Sequence, residues 1–435
     1  MPRTLFFNLL CFIFALIATS TVFGQERTLD EIKVEAVHRA ENGMYPLIGL
    51  DPADVKEAFA SIHTLDKDEW AVGFMGVADR YMAEAKALEA SAEKSKDKAD
   101  LAKADADYIR AWRLYSFGRW PVPTSTGKKQ SYAKAIEAFL AHAKFFDPPL
   151  EVVHIPFEGK TITGYLRLPK GATGPVPLVL AINGLDSRKE DLTQNFAGIL
   201  EYGVGYLAVD GPGTGQAPIQ VSETADRMLS RVIDYIETRP EVDKTRIAVH
   251  GVSWGAYWAT KLSIVERTRL RAVTAQSPAI HTFFQKDFIE GKLLGNREYL
   301  FDQVPALMSV YDGVTTLDQL VAAAPKMSLK TQGLLDKPTT PMLIIGGSLD
   351  TQVPISEAYL LLDSGDIPKE AWINPKGGHL GRQVKVWPDP VIFKQVIIPW
   401  LLRALDHHTA SMVSYSQYGP PTPSDGPATK VLGHE

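Results

Sequence analysis

Gly251-Val252-Ser253-Trp254-Gly255 follows directly on the apolar run Arg246-Ile247-Ala248-Val249-His250 and leads directly into a stretch that reads as a helix. A strand that becomes a helix within so few residues needs a very tight turn. Bulky side chains two positions either side of Ser253 would collide with neighbouring backbone, and glycine at 251 and 255 removes the collision. The serine is then expected at the tip of the turn, strained, with its hydroxyl exposed above a sheet. The same pentapeptide also suits a glycine-rich turn without chemistry, so the rest of the chain must supply partners.

A serine hydroxyl is a poor nucleophile at neutral pH and needs a base within hydrogen-bond reach. On a turn of this kind the partners follow in the order carboxylate, then histidine. Pro341-Met342-Leu343-Ile344-Ile345 reads as a buried strand and is followed by Gly346-Gly347-Ser348-Leu349-Asp350. Ala371-Trp372-Ile373-Asn374 reads as the next and is followed by Pro375-Lys376-Gly377-Gly378-His379. Both partners sit just past strand C-termini, where open α/β sheets carry their sites. Ser253 is therefore the expected nucleophile and His379 the base, on a loop whose two glycines leave it free to swing. Asp350 would orient the imidazole and stabilise its charged form. Asp363 and Asp389 are weaker substitutes. Among the ten histidines, His281 is the reserve base, and His250, inside the strand, is expected to pack or hydrogen-bond there.

Two backbone donors must hold the oxyanion of a tetrahedral intermediate. One is the amide of Trp254. The other comes from Asn183-Gly184-Leu185-Asp186-Ser187, after the apolar run 178–182, with Leu185 and Gly184 both open. Asp186 and Lys189-Glu190-Asp191 are expected to fix that loop and cap the next helix. Asp210-Gly211-Pro212-Gly213-Thr214-Gly215 fits neither common phosphate-loop spacing and reads as support near the site rim. There is no H-E-x-x-H and no carboxylate–histidine cluster, so neither a metal nor a cofactor is expected.

The chain has 435 residues, 45% hydrophobic and 22% charged, with a formal net charge of −5. That length implies two domains or one with a large cap. The charge argues against a nucleic-acid partner. Residues 1–24 read as a signal peptide, with an uncleaved anchor as the alternative: Arg3, the apolar stretch Leu5 to Ala18, then Val22-Phe23-Gly24 before a cleavage site at Gln25. The single cysteine, Cys11, lies inside it, so the mature chain is expected to lack disulfides and to be periplasmic or secreted. Residues 25–149 read as a helical N-terminal domain, with helices at Asp68 to Ala90, Asp97 to Phe117 and Ser131 to Phe146, ended by Asp147-Pro148-Pro149. Their aromatics, such as Trp70, Phe74, Tyr108 and Trp112, recur at helical spacing and are expected to be core. Residues 150–408 switch to alternating strands and helices. They open on a hairpin around Gly159 and predict a doubly wound, mostly parallel sheet of the α/β-hydrolase class. A cap is expected as an insertion at about 276–338, and residues 409–435 read as a disordered tail.

The loop at 178–191, the turn at Asp210, the elbow, the run Gly347 to Pro354 and Gly377-Gly378-His379 together resemble one α/β-hydrolase branch. It holds 2,6-dihydroxypseudooxynicotine hydrolase, the fungal heptaketide hydrolases and the fermentation–respiration switch esterases. Gly184-Leu185-Asp186-Ser187 with Lys189-Glu190 is the distinctive part; the elbow is generic. The resemblance implies Ser253, Asp350 and His379 in the roles above, roofed by the helical region and the insertion. Some members of the branch cleave carbon–carbon bonds with a further cap carboxylate, for which Asp287 and Glu290 lie in the right region. Asn183 and Ala256 depart from the glycines common in the branch.

The expected reaction is hydrolysis of a small-molecule carboxylic ester through an acyl-enzyme. Carbon–carbon hydrolysis of an aromatic ketone or β-diketone is the alternative, and a non-catalytic binding protein on the same fold a third reading. Helices in place of repeated strands at the N-terminus count against a prolyl-oligopeptidase-like peptidase. The cap aromatics Phe283, Phe284, Phe288, Tyr299 and Phe301 suit an acyl pocket and core packing equally; Phe283, Phe284 and Asp287 are the candidate substrate contacts, and a homodimer is compatible with the sequence.

Overall fold

Local capping chemistry marks where the first helices begin. The computed structural model describes residues 27–405 except positions 96, 97, 302 and 366. The expected signal segment with Cys11, the expected tail 409–435, and His407, His408 and His434 lie outside the described residues. Thr28 and Glu31 cap α1 (Leu29–Glu41) reciprocally. Asp51 caps α2 (Pro52–Ala60), with proline at its first position. Two long helices follow, α3 (Lys67–Ser95) and α4 (Lys98–Arg119). The Ser125 hydroxyl accepts the Lys128 amide at 3.3 Å and starts α5 (Thr126–Ala143), ahead of the Ser131 start that apolar spacing alone suggests. The aromatic stripes meet between these helices: Phe117 packs edge-on against Trp70 and Phe74, with ring centres 5.3 and 4.8 Å away.

The eight strands form one mixed sheet in the order β1-β2-β4-β3-β5-β6-β7-β8. They are β1 (Glu151–Phe157), β2 (Lys160–Arg167), β3 (Val176–Ile182), β4 (Gly205–Val209), β5 (Val242–Val252), β6 (Ala272–Gln276), β7 (Met342–Gly347) and β8 (Glu370–Asn374). β1 and β2 are an antiparallel hairpin whose two turn residues, Glu158 and Gly159, both have positive φ. That turn matches the natural twist of the strands it joins. β2 joins β4 antiparallel, and from β4 to β8 all pairs are parallel. β3, β4 and β6 are buried along their whole length, as strands covered on both faces must be. The covering helices include α6 (Lys189–Phe196), α7 (Asp226–Thr238) and α8 (Trp254–Val265).

β3 pairs with β4 on one side and β5 on the other. The chain leaves β3 in one direction and later returns in the other, so the loops after β3 and β5 part and leave a crevice at the strand C-termini. Two other parts of the chain roof it. The helical region docks on the sheet, with Phe139 stacked on Tyr165 of β2 at 5.4 Å. The segment between β6 and β7 holds short helices such as Gln303–Met308 and Leu317–Ala323, and none of the sheet strands among the described residues.

Candidate active site

Ser253 has φ 53° and ψ −114°, a conformation that L-residues seldom adopt. The turn closes so tightly that the flanking positions admit only glycine. A Cβ at position 251 would come within 2.1 Å of the Gly255 carbonyl oxygen, and one at 255 within 2.3 Å of that of Ile182. The Ser253 amide donates to the Gln276 carbonyl at the end of β6 (2.8 Å), which pins the turn from the neighbouring strand.

Ser253 Oγ lies 2.9 Å from His379 Nε2, and His379 Nδ1 lies 2.8 Å from Asp350 Oδ2. A carboxylate at Nδ1 keeps the ring proton there and leaves Nε2 to accept from the hydroxyl. Asp350 is held in turn. Its Oδ1 accepts the amides of Gln352 (2.9 Å) and Val353 (2.8 Å), and Oδ2 also accepts the Ser277 hydroxyl (2.9 Å). Burial by itself pushes the His379 imidazole pKa down. The charge and hydrogen bond of Asp350, helped by the charge of Glu298 and opposed by Arg382, outweigh burial, and the net shift is upward.

The glycines before His379 do not serve the loop mobility expected of them. A Cβ at Gly347 would lie 2.2 Å from the Gly378 carbonyl oxygen, and one at Gly377 2.6 Å from that of Gly381. Leu349 N–H donates to the Gly377 carbonyl at 2.8 Å and Ser348 N–H to that of Asn374 at 3.0 Å. The loops of Asp350 and His379 are thus zipped backbone to backbone: Gly347 is glycine because the other loop lies so close, and Gly377 because its own loop folds back onto Gly381.

In the loop after β3, the Gly184 amide donates to Ser187 Oγ at 2.9 Å. Buried Asn183 donates to the Ser187 carbonyl (2.6 Å) and accepts the Gly211 amide (2.6 Å), so it stitches this loop to the turn after Asp210. Asp210 accepts both the backbone and the ammonium of Lys189, each at 3.0 Å. The charged run after the loop therefore anchors it from below. Asp186 accepts from Trp120 and also lines the cavity over Ser253.

That cavity is about 200 Å³. Its walls come from three parts of the chain: Tyr45, Trp112 and Trp120 of the helical region, Tyr299 of the β6–β7 segment, and Leu185 and His379 of the sheet rim. Phe283 and Phe284 do not line it. Both are buried against Trp254, with ring centres 6.4 and 5.9 Å away. The cause is Glu357, wholly buried, whose carboxylate accepts the amides of Ile280, His281, Thr282 and Phe283. This grip turns both rings into the core. Asp287 is exposed and also stands off the cavity. His281 hydrogen-bonds Ser328 (2.8 Å), and His250 bonds Thr274 of β6 (2.7 Å). Asp389 pairs with Arg382 at 2.7 Å.

Two further residues at the site, Ser277 and Glu298, are not singled out by the sequence. Ser277 directly follows the apolar run of β6, and a polar residue just past a parallel strand was a usable signal. Glu298 carries none, because its partners lie far along the chain. Among the described residues no three His, Cys, Asp or Glu side chains gather as a metal site.

The doubly wound sheet, the sharp turn at Ser253 and the helical roof are those of an α/β-hydrolase. The family described as Esterase FrsA-like matches residues 17–375, and the chain belongs to it. Esterase FrsA of Klebsiella pneumoniae (strain 342) is 29% identical over 307 residues, covering 68% of this chain and 72% of that protein. Esterase FrsA of Enterobacter sp. (strain 638) is 26% identical over 384 residues, covering 81% and 91%. Two solved structures share the fold. The 2,6-dihydroxy-pseudo-oxynicotine hydrolase has a TM-score of 0.66 at 20% identity, covering 86% of this chain and 95% of that one. AbyA5 has a TM-score of 0.67 at 16% identity, covering 90% and 98%.

Proposed function

We propose that this hydrolase is a serine esterase that cleaves a small carboxylic ester through an acyl-enzyme. The observation that carries the reading is the continuous relay Ser253 Oγ–His379 Nε2 (2.9 Å) and His379 Nδ1–Asp350 Oδ2 (2.8 Å). The esterase family match supports the bond type. Ser253 Oγ attacks the ester carbonyl carbon as its proton passes to His379 Nε2, and Asp350 stabilises the imidazolium. The oxyanion is held by the amides of Trp254 and Leu185. Leu185 is preferred over Gly184 because the Gly184 amide already serves Ser187. The carbon–oxygen bond to the leaving alcohol then breaks, and His379 returns the proton to it. Water, deprotonated by His379, attacks the acyl carbon, frees the acid and restores the serine.

Aromatic walls in a cavity of about 200 Å³ suit a compact apolar acyl group. The test is a fluorophosphonate probe on purified protein, with product analysis on an aryl ester and a β-diketone side by side. Labelling at Ser253 with alcohol and acid from the ester supports the reading. Cleavage of the diketone alone replaces it with carbon–carbon hydrolysis, and folded protein that neither labels nor turns over marks a binding role. Export, with cleavage after Gly24, is proposed from the N-terminal sequence alone. Finding residue 1 retained on cytoplasmic protein would reject it.

A further inference from the structure

We infer that Glu298, in the segment between β6 and β7, is a positioning residue that fastens the loop of the base to the loop of the acid. This rests on the serine-esterase reading above. Glu298 Oε1 accepts the backbone amide of His379 at 2.9 Å. Its Oε2 accepts the amide of Thr351, next to Asp350, at 3.1 Å and the Thr351 hydroxyl at 2.6 Å. Two loops that leave different strands therefore meet on one carboxylate that belongs to neither. A Cβ at Gly378 would lie 3.0 Å from Glu298 Oε1, so the carboxylate occupies the side-chain space of the residue before the base. Asn296 reinforces the joint: its Nδ2 donates to the Thr351 carbonyl at 2.8 Å, and its Oδ1 accepts the Glu298 amide at 2.9 Å.

The other side of this strap is held by the helical region. Arg39 of α1 donates to the Glu298 carbonyl at 3.0 Å, and Arg27 donates to those of Arg297 (2.6 Å) and Tyr299 (2.7 Å). Tyr299 itself lines the cavity. The roof and the relay thus meet in four consecutive residues, 296–299. Chemistry explains why the residue is a glutamate. Three donors converge on it, and an amide in its place would turn an NH₂ group toward at least one of them. Its negative charge also favours the imidazolium that forms during attack. The charged groups facing His379 are Asp350 and Glu298, which favour the protonated ring, and Arg382, which opposes it and is itself paired with Asp389.

The test measures kcat and KM on p-nitrophenyl acetate from about pH 5 to 9 for the full chain and for Glu298→Gln, Glu298→Asp, Thr351→Val and Ser253→Ala. Glu298→Gln is expected to lower kcat roughly 10- to 100-fold, the scale of a small misplacement, with KM held within about two-fold. Its acid limb moves to lower pH because one negative neighbour of the imidazole is gone. Glu298→Asp returns the limb toward wild type. If thermal melting shows that Glu298→Gln does not fold, Thr351→Val carries the test: it keeps the charge, so kcat falls and the limb stays. The inference is overturned if the folded variant keeps kcat within about two-fold of wild type and, for Glu298→Gln, an unmoved limb, while Ser253→Ala is inactive. An active Ser253→Ala instead brings down the serine reading itself, and this inference with it.

Discussion

The Trp120 indole N–H at the end of α4 donates to Asp186 Oδ2 at 2.9 Å. Asp186 adjoins Leu185 in the loop after β3, and its carbonyl accepts from Arg119. The helical region therefore grips the loop that supplies one proposed oxyanion donor. Trp120→Phe keeps a ring and removes the N–H. A hydrogen bond to a charged group contributes about 1.5–3 kcal/mol, and Asp186 is only partly buried, so the low end is expected. Urea unfolding should show the loss, with a fall in kcat beside it. An unchanged midpoint and unchanged kcat would show the contact to be dispensable.

Ser253→Ala should lower turnover by about four to six orders of magnitude, the scale seen when a serine nucleophile is deleted. The fold should survive, because the Ser253 hydroxyl is not what shapes the turn. Single-turnover assays beside circular dichroism check both halves; wild-type turnover would remove Ser253 from the mechanism.

The pH profile follows from the upward shift at His379. The base must be neutral to accept the serine proton, so kcat/KM falls as pH drops through its pKa. The midpoint should lie above the ordinary imidazole value of about 6.5. A midpoint below that value would contradict the proposed influence of Asp350.

Buried His250 concerns stability instead. Burial pushes its pKa down to about 3, so the native ring stays neutral where an unfolded one takes a proton. Its contribution is complete above the unfolded pKa of about 6.5 and is lost as pH falls from there toward 3, at about 1.4 kcal/mol per pH unit. Urea midpoints at a series of pH values test this. His250→Phe should flatten the slope, and an identical slope in the variant would assign the acid sensitivity elsewhere.

Gly347→Ala examines the zipped loops. The added methyl would meet the Gly378 carbonyl oxygen at 2.2 Å, so the two loops must part. Activity should fall more than stability, since the loops carry Asp350 and His379. Comparison of kcat with Tm distinguishes this from general unfolding; retained kcat would show that the loops tolerate separation.

What could be read before any coordinates follows rules that act between near neighbours in the chain. The elbow needs glycine two residues either side of Ser253, and that spacing is visible. The strands before Asp350 and His379 announce themselves as apolar runs ended by glycine. The FrsA-like family and the hydrolase class were legible in the same stretches, and so was the helical start of the chain. Local rules fall short where a remote residue makes the decisive contact. Phe283 and Phe284 suit pocket walls and core packing alike in the sequence, and Glu357 decides for the core; the glycines near His379 read as hinges, but Gly377 is crowded by Gly381 of its own loop and Gly378 by the Glu298 carboxylate.

The order of strands and helices, the sharp turn at Ser253 and the candidate residues after each strand are legible in the chain alone, because periodicity and glycine spacing are local consequences of backbone sterics. What surrounds them is set by packing in the folded molecule: the Trp120 grip on Asp186, the tie of Glu298 to two loops, and a cavity walled by Tyr45, Trp112 and Tyr299. Those contacts join residues far apart in the chain, 66 positions for Trp120 and Asp186 and 81 for Glu298 and His379. Their partners are selected by how the roof packs on the sheet, and no spacing along the chain encodes that.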